Sequence, residues 1–455
     1  MRFPAQYHQI PHAALNDSRG MEAQTITAFL AIGAIIFIGF FGNLIFTRFR
    51  IPDVLLLVAL GMIIGPEVLG GAFHIVTVDT LKTIENSRDL LLSAALVLIL
   101  FDGGLGLDVK AVIESMRLAT FITILTLVCE MFAVAIALNV FIGVDFLLAL
   151  VVGSIVGGTS EAVVIPIANK MRIGEKTKAM LIMESVVTDV LVIVIAISLM
   201  SVIAIGDFSL TSIASDLAIK FAVGAVVGFV AGIAWLFVLQ KLQNQPLSYM
   251  ITVAALFAVA GLVELPPIES SSAVAALMFG LAIGNRRFVK RWLTSVSLKL
   301  SSDEHIHQFH TEITFFVRTF FYVYLGLLFQ FGTFETMHLA IGLGIIAIIV
   351  AVRRLTSLLA WKIGDLAKTD ADALFGMMPR GLAAAVLATM PATLLAGSSV
   401  WEPKYSQLIL NIVLIVILGT TIIATILSFI TERKIERNHH FKMRQKLAKD
   451  ADLSS

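Results

Sequence analysis

Long apolar runs alternate with short polar connections along most of the chain. A hydrocarbon core of about 30 Å needs about 20 helical residues. On that measure the pattern predicts thirteen spans, at 24–46, 51–69, 89–107, 117–140, 145–169, 179–205, 213–239, 247–264, 270–285, 311–331, 337–361, 371–397 and 405–430. The mixed stretch 72–88 reads as interfacial, and 286–310 is the one long polar linker. Residues 1–23 form a polar amino-terminal extension without the apolar region of a secretory signal. Residues 431–455 form a charged tail, helical or disordered. The fold class that follows is an all-α polytopic membrane protein, with a single transmembrane domain over 24–430.

Composition agrees. The 455 residues are 58% hydrophobic and 14% charged, where a soluble chain carries about a quarter charged. A net charge of +1 gives no footprint for nucleic acid. One cysteine, Cys129, excludes an intramolecular disulfide. Lys and Arg gather in the loops after odd-numbered spans, at Arg48 and Arg50, Lys170, Arg172, Lys176 and Lys178, Arg286 and Arg287, and again throughout the tail. The positive-inside rule then places the amino terminus outside and the carboxyl terminus in the cytoplasm, in a multi-pass protein of the cell membrane.

Two spans are interrupted. The fifth carries 157-GGTSE-161 at mid-depth, and the twelfth carries 379-PRG-381. Non-helical backbone at membrane depth is tolerated where it is buried in protein or lines a cavity. Paired interruptions in two halves point to a transporter's ion site. These two lie seven spans apart, an odd offset, so they run in opposite directions and any repeat is inverted.

The polar residues inside spans follow the same logic. The sixth span holds Glu184, Ser185, Thr188 and Asp189 within about one and a half turns. An ionisable group at bilayer depth costs about 2.5–3.5 kcal/mol on insertion scales. A carboxylate out of water favours its protonated form, and a cation that supplies positive charge displaces that proton. Asp189 is thus a candidate to hold a proton or a sodium ion in alternation. Thr159, Ser160, Ser185 and Thr188 offer hard oxygens suited to an alkali cation. A lone hydroxyl more often bonds its own helix backbone; their concentration in two places sets these apart. Glu184 requires a cation, and Arg380, deep in its own span, is the expected partner in a structural clasp. Asp102, near the inner end of its span, reads either as an accessory acid or as a helix-end charge. Arg318 is expected to stack on aromatics, and Arg353 and Arg354 to snorkel to the inner face. Gly224, Gly228 and Gly232 predict close helix packing, with a dimer seam as one use of it.

These motifs resemble those of the monovalent cation:proton antiporter superfamily, closest to the NhaP-like sodium/proton antiporters, over about residues 25–430. The acidic Glu-Ser-x-x-Asn-Asp motif is similar to 184-ESVVTD-189, and Thr-Asp-Pro to 159-TSE-161. Pro-Arg-Gly recurs at 379–381, and Phe-Glu-x-Gly resembles 101-FDGG-104. Thr188 stands where the family has Asn, and Ser160 and Glu161 where it has Asp and Pro. The resemblance implies crossed broken helices, a homodimer, and no cofactor beyond the transported ions. It implies Asp189 as the essential carboxylate and Ser185 and Thr159 as helpers in holding sodium. It further implies Asp102 as the accessory acid; with the family's Asp lost, Glu161 or a water is left to substitute for it as a ligand. A single aspartate in the sixth span goes with electroneutral exchange in the superfamily. The function so implied is exchange of sodium or lithium for protons. The alternatives are potassium/proton exchange, a transport-deficient sensor or channel of the same fold, and sodium-coupled uptake of an organic anion.

Overall fold

The computed structural model describes residues 53–65, 88–106, 117–205, 210–242, 248–266, 270–286, 322–329, 335–364 and 366–453, with a few isolated positions besides. The amino-terminal extension, nearly all of the first expected span, the 72–87 stretch, the 287–310 linker and Arg318 lie outside the described residues.

Every described element is helical. In chain order they are α1 (Asp53–Ile64), α2 (Arg88–Gly106), α3 (Arg117–Ala137), α4 (Phe146–Ile155), α5 (Glu161–Lys170), α6 (Glu175–Ile205) and α7 (Leu210–Lys241). There follow α8 (Ser248–Glu264), α9 (Ser272–Gly284), α10 (Thr336–Gly364), α11 (Lys368–Gly376), α12 (Leu382–Thr389), α13 (Pro391–Leu394) and α14 (Lys404–Leu453). Among the described residues, five helices are long and apolar enough to cross a membrane, and shorter apolar helices accompany them. The expected charged tail is helical, a continuation of α14 without a break.

Local sequence explains the ends. α3 closes in a π-helical turn, Leu138–Ile142, that Gly143 terminates at φ 77°, a left-handed value that glycine adopts without steric cost. Asp145 then caps α4, accepting from the N–H groups of Leu147 and Leu148. The fifth expected span is two helices, α4 and α5, separated by non-helical backbone at 156–160. The twelfth is α11 and α12, separated at 377–381.

The helices sort into two groups. α3, α4, α5 and α6 pack with α10, α11, α12 and α14. α2, α7, α8 and α9 form the other group, and α2 touches α6 and α12 sparingly. The glycine face of α7 is used within the chain. A Cβ at Gly228 would overlap the Ala275 backbone of α9, and one at Gly232 would come within 2.7 Å of the Ala282 Cβ. The dimer seam suggested for these glycines is therefore occupied by α9. The opposite face of α7 exposes Ile219, Val226 and Val230, as a lipid-facing or partner-facing stripe does.

One side of the first group is tied by loops. Asp370, in the first turn of α11, accepts from the Thr177 hydroxyl at 2.9 Å, and Lys176 Nζ donates to the Gly364 carbonyl at 2.9 Å. The turn between α5 and α6 is thereby fixed to the turn between α10 and α11.

Candidate ion site at the crossing of two broken helices

The two interruptions meet. The Ser160 N–H donates to the Pro379 carbonyl at 2.8 Å, a backbone bond between one break and the other. Gly381 faces Ser160 so closely that a Cβ there would overlap the Ser160 hydroxyl. Four helix ends converge here, the carboxyl ends of α4 and α11 and the amino ends of α5 and α12. The crossing thus carries partial positive and partial negative charge from unpaired backbone groups, suited to holding ions.

The break at 156–160 also leans on α6. The Thr159 N–H donates to Thr188 Oγ1 at 3.0 Å, and the two threonine hydroxyls lie 3.3 Å apart. Gly158 permits this, since a Cβ there would sit 2.8 Å from the Val192 side chain and 3.2 Å from the Thr188 carbonyl. Ser185 donates to the Ile182 carbonyl of its own helix at 3.0 Å, leaving its oxygen able to accept or to ligate. Thr159, Ser160, Ser185 and Thr188 are all buried. Asp189, next to Thr188 on α6, is half-buried. Thr159 and Thr188 are thus in contact, Ser160 follows Thr159 in the break, and Ser185 and Asp189 lie within a turn of Thr188 on α6. Glu161 opens α5, directly after Ser160. Asp102 is half-buried on α2, one residue from Gly103, where a Cβ would lie 2.9 Å from Val190 of α6. Asp102 and Asp189 thus each neighbour one contact between α2 and α6.

The expected clasp between Glu184 and Arg380 does not form. Glu184 is held instead by Arg353 of α10, in a two-pronged pair in which Nη1 meets Oε1 and Nη2 meets Oε2, the latter at 2.9 Å. Arg353 also donates from Nε to the Leu374 carbonyl at 3.0 Å and from Nη2 to the Met377 carbonyl at 2.7 Å. Those carbonyls belong to the carboxyl end of α11 and the break after it, where a helix has acceptors to spare and attracts a cation. This corrects the snorkelling expected of Arg353, which is 3% exposed. Arg354, half-exposed, does reach outward, 3.6 Å from Asp372 and over the Phe375 ring.

Arg380 turns the other way, to Glu130 of α3. Its Nη2 donates to Glu130 Oε2 at 2.6 Å, and its backbone N–H donates to Thr420 Oγ1 of α14 at 3.1 Å. Both side chains are buried. Glu130 is absent from the expectations above. It is nonetheless the one acidic residue in the fourth expected span, and an acid at that depth is a signal in itself.

Among the described residues, no cluster of three His, Cys, Asp or Glu side chains could hold a metal ion. The threonine hydroxyls in contact at the crossing are hard oxygens, which suit an alkali cation better than a transition metal.

The pattern of the family described as "Sodium/hydrogen exchanger, transmembrane" matches residues 32–432. The chain belongs to the sodium/hydrogen exchanger family. This is a family of transporters, not enzymes, and its members work without cofactors. The chain is 29% identical over 278 residues to the K(+)/H(+) antiporter NhaP of Alkalimonas amylolytica, covering 59% of this chain and 45% of that one. It is 24% identical over 279 residues to the Na(+)/H(+) antiporter ApNhaP of Aphanothece halophytica, covering 61% and 50%. It spans about half the length of both. A probable Na(+)/H(+) antiporter of Methanocaldococcus jannaschii is 25% identical over 406 residues, covering 86% and 90%. In structure the chain is similar to the sodium proton antiporter MjNhaP1 of that organism at pH 8. The TM-score is 0.69 at 20% identity, over 89% of this chain and 99% of that one. The fold of this multi-pass membrane protein is thus like that of MjNhaP1.

Proposed function

We propose that this member of the sodium/hydrogen exchanger family exchanges sodium, and lithium in its place, for protons, one for one, across the cell membrane. Asp189 binds cation and proton in turn. Thr159, Ser185 and Thr188 supply oxygens to the dehydrated cation, and Ser160 or Glu161 supplies the ligand that an aspartate supplies in relatives. Asp102 is the accessory acid on the path. The observation that supports this reading is the Thr159–Thr188 contact where two broken helices cross, with half-buried Asp189 the residue after Thr188 on α6. The reading includes thirteen spans with inverted repeats, a homodimer, and the amino terminus outside. The opposed half-helices and the distribution of Lys and Arg support the repeats and the orientation.

The test is flux. In proteoliposomes carrying an imposed pH gradient, sodium collapses the gradient, and Asp189→Asn abolishes the effect. Full exchange by the folded Asn variant would end the mechanism. Clamping the membrane potential with valinomycin and potassium leaves one-for-one exchange unchanged; a shifted end-point would exclude electroneutrality.

A second reading is potassium/proton exchange. The name of the Alkalimonas amylolytica relative favours it, as do Ser160 and Glu161 in place of Asp and Pro. A panel of sodium, lithium and potassium against the same gradient separates the two.

A further inference from the structure

The Glu130–Arg380 pair has no task in the exchange reading, and it is built unlike its neighbour. Arg353 and Glu184 bond one another twice, and Arg353 bonds two carbonyls besides. In the other pair a single bond joins the side chains. Glu130 Oε1 and Arg380 Nε and Nη1 are buried with no hydrogen-bond partner among the described residues. Buried polar atoms left without partners cost stability, and apolar residues in place of a buried ion pair are often neutral or stabilising. Stability alone does not account for keeping these charges. Their position does. Arg380 is inside the 377–381 break, fixed by Glu130 of α3 on its side chain and by Thr420 of α14 on its backbone. The residue before it, Pro379, accepts from the Ser160 N–H. The residue after it, Gly381, packs on the Ser160 side chain. Thr159, next to Ser160 in the other break, then reaches Thr188, beside Asp189. One continuous path therefore runs from Glu130 through Arg380 and both breaks to the hydroxyls of the candidate site.

We propose that Glu130 is a positioning residue for the cation site, acting through Arg380 and the 377–381 break. The proposal rests on the reading of Asp189 as the exchange site. Two effects have the same sign. Glu130 anchors the guanidinium and so the shape of the break that receives Ser160. It also neutralises a full positive charge whose backbone adjoins the positive amino ends of α5 and α12. Without that carboxylate, the arginine's charge repels an arriving cation.

The test is exchange in proteoliposomes, per unit of folded protein, at a series of cation concentrations. Wild type, Asp189→Asn, Glu130→Gln and Thr420→Val are run side by side. Glu130→Gln keeps an acceptor for Nη2 but removes the charge. It raises the half-saturating cation concentration about tenfold, the size of effect seen when a ligand's supporting partner is lost, while the maximal rate is largely kept. Thr420→Val removes the other anchor of the break and shifts half-saturation in the same direction. A merely structural role lowers the yield of folded protein and leaves half-saturation in place; that outcome in either folded variant overturns the proposal. Failure of both variants to fold would make the pair a folding determinant and overturn it as well. Absence of exchange in wild type, or its persistence in Asp189→Asn, counts against the exchange reading instead.

Discussion

Two arginines lie buried beside the crossing, and each takes a carboxylate from a different helix. Arg353 is the better satisfied. Its guanidinium forks onto Glu184 and spans to the carbonyls of Leu374 and Met377. Removing it leaves a carboxylate buried without a counter-charge, at a cost of about 3–5 kcal/mol. Arg353→Met therefore lowers the melting temperature in detergent sharply. The double variant Arg353→Met, Glu184→Met melts nearer the wild type than the sum of the single effects predicts, because no lone charge remains. Strict additivity would show that the pair does not act as a unit. The Thr159–Thr188 bond predicts a different phenotype. Thr188→Val strips the acceptor from a buried backbone N–H, which costs about 1–3 kcal/mol, and it removes an oxygen from the candidate site. Cation flux at subsaturating concentration falls more than the maximal rate does. An unchanged half-saturating concentration would take Thr188 out of the ligand set.

At the scale of elements, the sequence is legible where one dimension suffices. The interruptions at 157-GGTSE-161 and 379-PRG-381 correspond to the breaks at 156–160 and 377–381. Glycine, proline and polar residues in an apolar run are a local signal. The cluster on α6 is legible for the same reason, since Glu184, Ser185, Thr188 and Asp189 share one helix of regular periodicity. Pairing across helices is not legible. Whether Arg380 faces α6 or α3 depends on how the break turns its side chain, and nothing in 379-PRG-381 encodes that angle. The role of Arg353 is hidden because two of its acceptors sit at the carboxyl end of α11, a feature that exists only because the twelfth span is split after Gly376. Gly381 is the tightest point of that arrangement. Gly381→Ala pushes a methyl group into Ser160, and the two breaks must separate to admit it. Exchange is lost while α14 and the rest of the bundle still fold, which circular dichroism and gel filtration report. A fully active Ala variant would mean that the breaks are not held together during transport.

Among the described residues, the two groups of helices meet at a thin seam where α2 lies against α6 and α12. The group containing the crossing packs tightly within itself, whereas α2 of the other group touches α6 and α12 sparingly. A carrier that binds one ion at a time must turn its site from one side of the membrane to the other. Rigid-body movement of one packed group against another is an established way of doing so. The seam between α2 and α6 runs past Asp102 and Asp189, and Gly103 lies against Val190 there. A covalent bridge at that contact would test the motion directly. The chain's single native cysteine, Cys129, makes the background simple to clear by Cys129→Ser. In that background Gly103→Cys with Val190→Cys brings two thiols within disulfide reach, since the substitution of Val190 also removes the methyl group that a Cβ at Gly103 would crowd. Oxidation arrests exchange, and reduction with dithiothreitol restores it. The Val190→Cys variant alone stays active under both conditions. Undiminished exchange in the quantitatively bridged protein would show that α2 and α6 travel together, and the moving boundary would then have to lie elsewhere in the fold.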